Sequence, residues 1–199
     1  MTQQLFLSFL FFCLVMAFTP GPNNIMALES GASFGFRRSL PHLFGMGAGY
    51  WSLIVVVDLA LRIVREGGGA AMFDALKIAC LIYMLYLAWR VATAPADMAL
   101  AGARRPITFA ESMAFQWINP KAWAIVVTGV TTYAHRGAHW DLVLAVVFTV
   151  SCVGLVAVWT GCGMALRGWL ADPFRRRCFN LAMAGMLLVS LWPMLRGVG

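Results

Sequence analysis

The chain has 199 residues, is 61% hydrophobic and only 12% charged, and has a mean hydropathy of +0.79. A soluble domain of this size has too little interior to bury so much apolar side chain, so the bilayer must be the solvent for most of it. The net charge of +7 then marks basic loops on one membrane face; no basic stripe interleaved with aromatics offers a nucleic-acid surface.

A spanning helix needs roughly 20 apolar residues. Six apolar segments are predicted, at about 5–33, 40–63, 72–94, 109–133, 140–166 and 174–196. The first follows Met1-Thr-Gln-Gln4, which lacks the positive region of a signal peptide, and it is expected to remain as a transmembrane helix. Its middle is interrupted by Pro20, Gly21 and Pro22, within Thr19-Pro-Gly-Pro-Asn-Asn24. The second segment carries Asp58. Gly31-x-x-x-Gly35 and Gly45-x-x-x-Gly49 are expected to put small residues on one helix face, where helices approach closely in lipid. After the third segment runs the longest connector, about 95–108. The fourth segment is interrupted by Asn119-Pro120-Lys121.

Segment starts repeat at an offset of about 100 residues, three spans to each half, so the second half enters the membrane inverted. The fold class expected is an all-α integral membrane protein. Its six transmembrane helices form two inverted three-helix repeats, about 1–94 and 109–199, within one transmembrane domain. Helices 1 and 4 are broken by proline. Arginines number nine on connectors 1–2, 3–4 and 5–6 with their flanks, against five basic residues on the opposite side, which places both termini outside.

Paired broken helices at matching positions are the best sequence pointer to a transport site. Proline lacks an N–H and clashes with the carbonyl four residues back. Pro20, Pro22 and Pro120 are therefore expected to free the carbonyls of Met16, Phe18 and Gln116. Irregular backbone survives in lipid only where protein or a water-filled cavity surrounds it. After each break, half-helix N–H groups favour an anion and freed carbonyls favour a cation. An amino acid offers both charges. The expectation is that N–H groups around Asn23 and Asn24 take its carboxylate, while freed carbonyls and the amides of Asn23, Asn119 and Gln116 take its ammonium. Lys121, costly in mid-span, should face the interior, either holding the carboxylate or pairing with Asp58. Asp58 and Glu29 are candidate proton-coupling carboxylates; each has a bland alternative, solvation at the interface for Asp58 and pairing with Arg37 or Arg38 for Glu29.

Thr19-Pro-Gly-Pro-Asn-Asn24, Gly35-Phe-Arg-Arg38, Tyr83-x-x-Tyr-Leu-Ala-Trp89 and Phe115-Gln-Trp-Ile-Asn-Pro-Lys-Ala-Trp123 together resemble the LysE/RhtB family of amino-acid exporters. The resemblance spans nearly the whole chain. It implies a six-span inner-membrane protein that exports amino acids or derivatives, driven by the proton gradient. Family substrates include lysine, arginine, homoserine, threonine, leucine and cysteine or O-acetylserine. The motifs are most similar to the cysteine/O-acetylserine branch, and the homoserine/threonine branch shares most of the pattern. Asp58, where the family has a small residue, and Glu29 depart from it and leave room for a more cationic substrate.

No hydrolase, zinc-protease or nucleotide-binding motif indicates an enzyme, and no catalytic residue, metal or cofactor is expected. His135 and His139, four apart, fall in a loop and read as exposed; His42 beside Pro41 reads as equally bland. Five scattered cysteines, without C-x-x-C, read as small packing residues. The expected partners are an amino acid, protons and lipid, and the small-residue faces are compatible with a homodimer. The alternative function is a passive channel or a membrane scaffold subunit.

Overall fold

A computed structural model of the chain describes residues 3–19, 21–67, 82, 85–86, 89, 105–133 and 138–190. The predicted third span lies almost wholly outside these residues, as do most of the long connector, Pro20 and His135. Every described element is helical. In chain order they are α1 (Gln3–Phe18), α2 (Pro22–Phe34), α3 (Phe36–Gly67), α4 (Phe109–Ile118), α5 (Pro120–Tyr133), α6 (Ala138–Leu166), a 3-10 turn (Trp169–Ala171) and α7 (Pro173–Ser190).

Among the described residues, Phe36–Leu61 of α3 and Asp141–Leu166 of α6 are long and apolar enough to cross a membrane. Each 26-residue stretch reaches about 39 Å at 1.5 Å per residue, more than a hydrocarbon core of about 30 Å. α1 and α2 pass the same test as a pair, bent by 59°.

α4 starts with a capping box. The Thr108 hydroxyl accepts the Glu111 N–H (3.3 Å), and the Glu111 carboxylate accepts the Thr108 N–H (2.9 Å). Arg105 donates to the same carboxylate (2.9 Å). α2 and α3 form a tight hairpin. Gly35, with φ of 78°, ends α2 in a backbone conformation that a side chain would strain, and its N–H donates to the Gly31 carbonyl (3.0 Å). The hydroxyls of Ser30 and Ser39 meet at 2.7 Å across the hairpin. Gly35 therefore does not share a packing face with Gly31, as the Gly-x-x-x-Gly spacing suggests; the helix ends between the two.

Gly31 and Gly163 hold α2 against α6. A Cβ at Gly31 would collide with the Thr160 carbonyl, and one at Gly163 with the Leu28 carbonyl. Gly45 and Gly49 do the same for α3 and α4, Gly45 against the Phe109 carbonyl and Gly49 against the Gln116 side chain and the Met113 carbonyl. Small residues let backbones touch, which is where association in lipid finds its dispersion energy. His42 belongs to this seam. It is fully buried on α3, not a bland loop residue, and its carbonyl accepts the Ser112 hydroxyl (2.7 Å).

At the other end of the bundle, α1, α3, α5 and α6 enclose an apolar core that includes Phe9, Leu53, Val126, Leu144 and Phe148. They leave a cavity of about 260 Å³ there. Of the cysteines, Cys13 and Cys152 are buried as expected of packing residues, while Cys162 and Cys178 are exposed on the bundle surface.

Candidate functional site

Helix α1 stops at Phe18, and the Thr19 N–H closes its last turn on the Val15 carbonyl (2.9 Å). Gly21 is extended (φ −161°) and precedes Pro22 at the first position of α2, where a missing N–H costs nothing. α4 stops at Ile118, and α5 starts at Pro120 after a single extended residue, Asn119. Asn119 caps both helices. Its N–H donates to the Gln116 carbonyl (3.3 Å), its side-chain oxygen accepts the Lys121 N–H (3.1 Å), and its carbonyl accepts the Ala122 N–H (3.0 Å). The Gln116 carbonyl, expected to be freed by Pro120, is thus occupied.

The two interruptions face one another. Asn23 and Gln116 exchange a reciprocal amide pair: Asn23 Nδ2 donates to Gln116 Oε1 (2.8 Å) and Gln116 Nε2 donates to Asn23 Oδ1 (3.1 Å). Gln116 Nε2 also donates to the Ser112 carbonyl (3.1 Å), and Asn23 Nδ2 reaches the Tyr50 hydroxyl (3.4 Å). Lys121 Nζ, from α5, donates to the Thr19 carbonyl at the end of α1. Asn24 Nδ2 donates to the Ala17 carbonyl (2.9 Å). The carbonyls covered by side chains are therefore those of Ala17 and Thr19, rather than Met16 and Phe18. The last carbonyls of any helix lack intrahelical partners, and α1 ends at Phe18.

Between these groups lies a chamber lined by Gly21, Pro22, Asn23, Asn24, Asn119 and Lys121. Its free space is about 10 Å³, room for about one water. Tyr50 and Cys152 also line it, and sequence reasoning missed both. The only local sign of Tyr50 was its place after Gly45-x-x-x-Gly49, the face that packs on α4. The chamber offers donors. Asn119 Nδ2 is buried, with Asn119 at 1% exposure, and has no partner among the described residues. The N–H of Asn23, in the first turn of α2, has no acceptor among the described residues. Of the amides expected to take an ammonium, Asn23 and Gln116 are engaged with each other, and the Asn119 oxygen accepts the Lys121 N–H.

Asp58 and Glu29 do not line the chamber. Asp58 lines the larger cavity together with Asp141. Glu29 is half-buried on α2, and among the described residues no ion pair joins it to Arg37 or Arg38. Pro120 is placed at the start of α5, and Pro20 lies outside the described residues.

The family described as LysE type translocator matches residues 14–191. Cysteine/O-acetylserine efflux proteins of Escherichia coli (strain K12) and Shigella sonnei (strain Ss046) are 35% identical over 136 residues, covering 67% of this chain and 67% of each relative. One from Escherichia coli O1:K1 / APEC is 35% identical over 137 residues, with the same coverage. No solved structure matches the chain. With both interruptions inside the matched span, the chain belongs to the LysE-type translocator family.

Proposed function

We propose that the protein is a secondary transporter of the inner membrane that exports a small amino acid or a derivative of one, bound in the chamber between the two broken helices. The efflux proteins it resembles are named for cysteine and O-acetylserine, and we assign this chain the same class of small neutral amino acids. The observation that carries the reading is the imbalance of polar groups in the chamber. Among the described residues donors are left over (Asn119 Nδ2 and the Asn23 N–H), while the nearby carbonyls of Ala17 and Thr19 already hold Asn24 and Lys121. Unused donors at the positive end of a half-helix suit a carboxylate, and Lys121 adds charge beside them. The chamber is read as the carboxylate end of the substrate site.

The architecture proposed is six spans in two inverted repeats, with both termini outside. Helix contacts support it. Exchange of the two halves maps the α2–α6 contact onto α5–α3, and the α4–α3 contact onto α1–α6; all four are present. Alternating access would rock one repeat against the other. Export is taken to be proton-driven, with Asp58 and Glu29 as the carboxylates that relay the proton.

The test is efflux of a labelled amino-acid panel from loaded cells, with and without an uncoupler, beside Lys121→Ala. Accelerated efflux of one class, lost with uncoupler and with the substitution, supports the reading. No acceleration for any amino acid despite membrane insertion overturns it in favour of a scaffold. Efflux indifferent to the uncoupler overturns the coupling and leaves a channel.

A further inference from the structure

The chamber has no room for an amino acid, so solute must pass one of its walls, and the walls are unequal. Toward the end of the bundle where α2 turns into α3, helices touch through main chain. Gly31 lies on the Thr160 carbonyl, Gly163 on the Leu28 carbonyl and Gly45 on the Phe109 carbonyl. No side chain can swing aside there, because the contacts contain none on the glycine side. Toward the other end the wall is one layer of side chains. Tyr50 lines the chamber and Phe148 lines the 260 Å³ cavity. Their rings meet edge to face, centroids 5.4 Å apart at 70°. On α6, Phe148 faces the cavity and Cys152 the chamber; these residues are four apart, a rise of about 6 Å. On α5, consecutive residues do the same, Ile125 toward the chamber and Val126 toward the cavity.

We propose that the Tyr50–Phe148 ring pair is the gate of the substrate site, and that the cavity beyond it is the route by which solute passes between the chamber and one membrane face. The assignment rests on the chamber being the solute site. An edge-to-face pair opens by rotation of two side chains without separating helices. The backbone seams at the other end open only when whole helices move apart. The ring pair is therefore the fast barrier and the glycine seams the slow one. Tyr50 couples the gate to the site, since its hydroxyl is within 3.4 Å of Asn23 Nδ2, itself paired with Gln116.

Cys152 is a built-in reporter, because it lies on the chamber side of the ring pair. The test uses the full chain with Cys152 as its sole cysteine, in lipid nanodiscs whose two faces both meet the reagent, and follows modification by a charged methanethiosulfonate. With the gate intact, the open form is a minor state, and modification is slow. Phe148→Ala should raise the rate about tenfold, as expected when a state populated at about 1% becomes about tenfold more frequent. Tyr50→Ala should act in the same direction. Adding Gly129→Phe to either should restore the slow rate. Gly129 lines the cavity, and a Cβ there meets only the rings of Phe12 and Phe148, at 3.5 and 4.0 Å, so a bulky side chain starts inside the route without meeting the backbone of another helix. If Phe148→Ala does not fold, Phe148→Leu, which keeps the bulk and loses the ring contact, must still accelerate the reaction. An unchanged rate in a folded variant overturns the gate. Acceleration that Gly129→Phe fails to reverse also overturns it, since the reagent then enters elsewhere. The assay involves no transport. A protein that labels as expected but exports nothing keeps its gate and loses the export reading; one that exports and does not label loses only the gate.

Discussion

The reciprocal amide pair between Asn23 and Gln116 joins the two broken helices across 93 residues of sequence, and its energy can be measured directly. Asn23→Ala strips Gln116 Oε1 of its donor inside the bundle, where Gln116 has no exposed surface. An orphaned buried acceptor costs about 1–3 kcal/mol. Gln116→Ala is expected to cost at least as much, since it also leaves a void beside Gly49. Removing both partners leaves neither orphan, so the double variant must be less destabilised than the sum. Side-chain hydrogen bonds between membrane helices average about 0.6 kcal/mol, because the unfolded chain in the membrane also finds partners. Two bonds, at 2.8 and 3.1 Å, then give a coupling of about 1.2 kcal/mol. The assay is a double-mutant cycle on unfolding equilibria in mixed micelles, using the four forms wild type, Asn23→Ala, Gln116→Ala and both. Additivity within about 0.3–0.5 kcal/mol, the behaviour of independent sites, would refute the pair as the link between the helices.

Other substitutions separate seams from surface. Gly163→Ala forces a methyl into the Leu28 carbonyl and should destabilise by about 1–3 kcal/mol, the range for overpacking. Gly161→Ala, two residues away with nothing within 4 Å of the added Cβ, should be neutral or stabilise by up to about 1 kcal/mol through helix propensity; equal effects in the same unfolding assay would contradict the packing described. Lys121→Met keeps the stem but removes the donor to the Thr19 carbonyl. A charged hydrogen bond of about 1.5–3 kcal/mol predicts export slowed tenfold or more, with membrane insertion retained, as read by efflux against expression of a fluorescent fusion. Thr108→Ala removes one arm of the capping box on α4 and should cost about 1 kcal/mol; an unchanged midpoint would show that the cap does not hold that helix end.

The helix ends near Pro22 and Pro120 were legible because proline acts locally, through a missing donor and a clash one turn back. Their partners were not. Whether Asn23 meets Gln116 or a solute depends on how α2 lies against α4, a matter of helix register and tilt that no short motif encodes. The same holds for Tyr50 and Cys152, which read as ordinary core residues until α3 and α6 are placed around the chamber. Gly-x-x-x-Gly spacing gave one correct face at Gly45 and Gly49 and a false one at Gly31 and Gly35, since periodicity says nothing about where a helix stops. Gly163 went unnoticed because its partner is a carbonyl, on Leu28, that any residue would supply. The all-helical, apolar character of the chain followed from composition alone, because lipid leaves the backbone few alternatives.

The hairpin at Gly35 has a mechanical consequence. The Ser30 and Ser39 hydroxyls tie α2 to α3, and Ser39 also donates to the Gly35 carbonyl (2.9 Å), so the corner is braced from inside. α2 and α3 then behave as one stiff lever. Its pivot lies at the other end of α2, between Phe18 and Pro22, where the run of helical bonds stops and Lys121 grips the Thr19 carbonyl. A swing about that pivot displaces the Gly35 corner most and the chamber least, so the far seams can part while the groups around the solute keep their places.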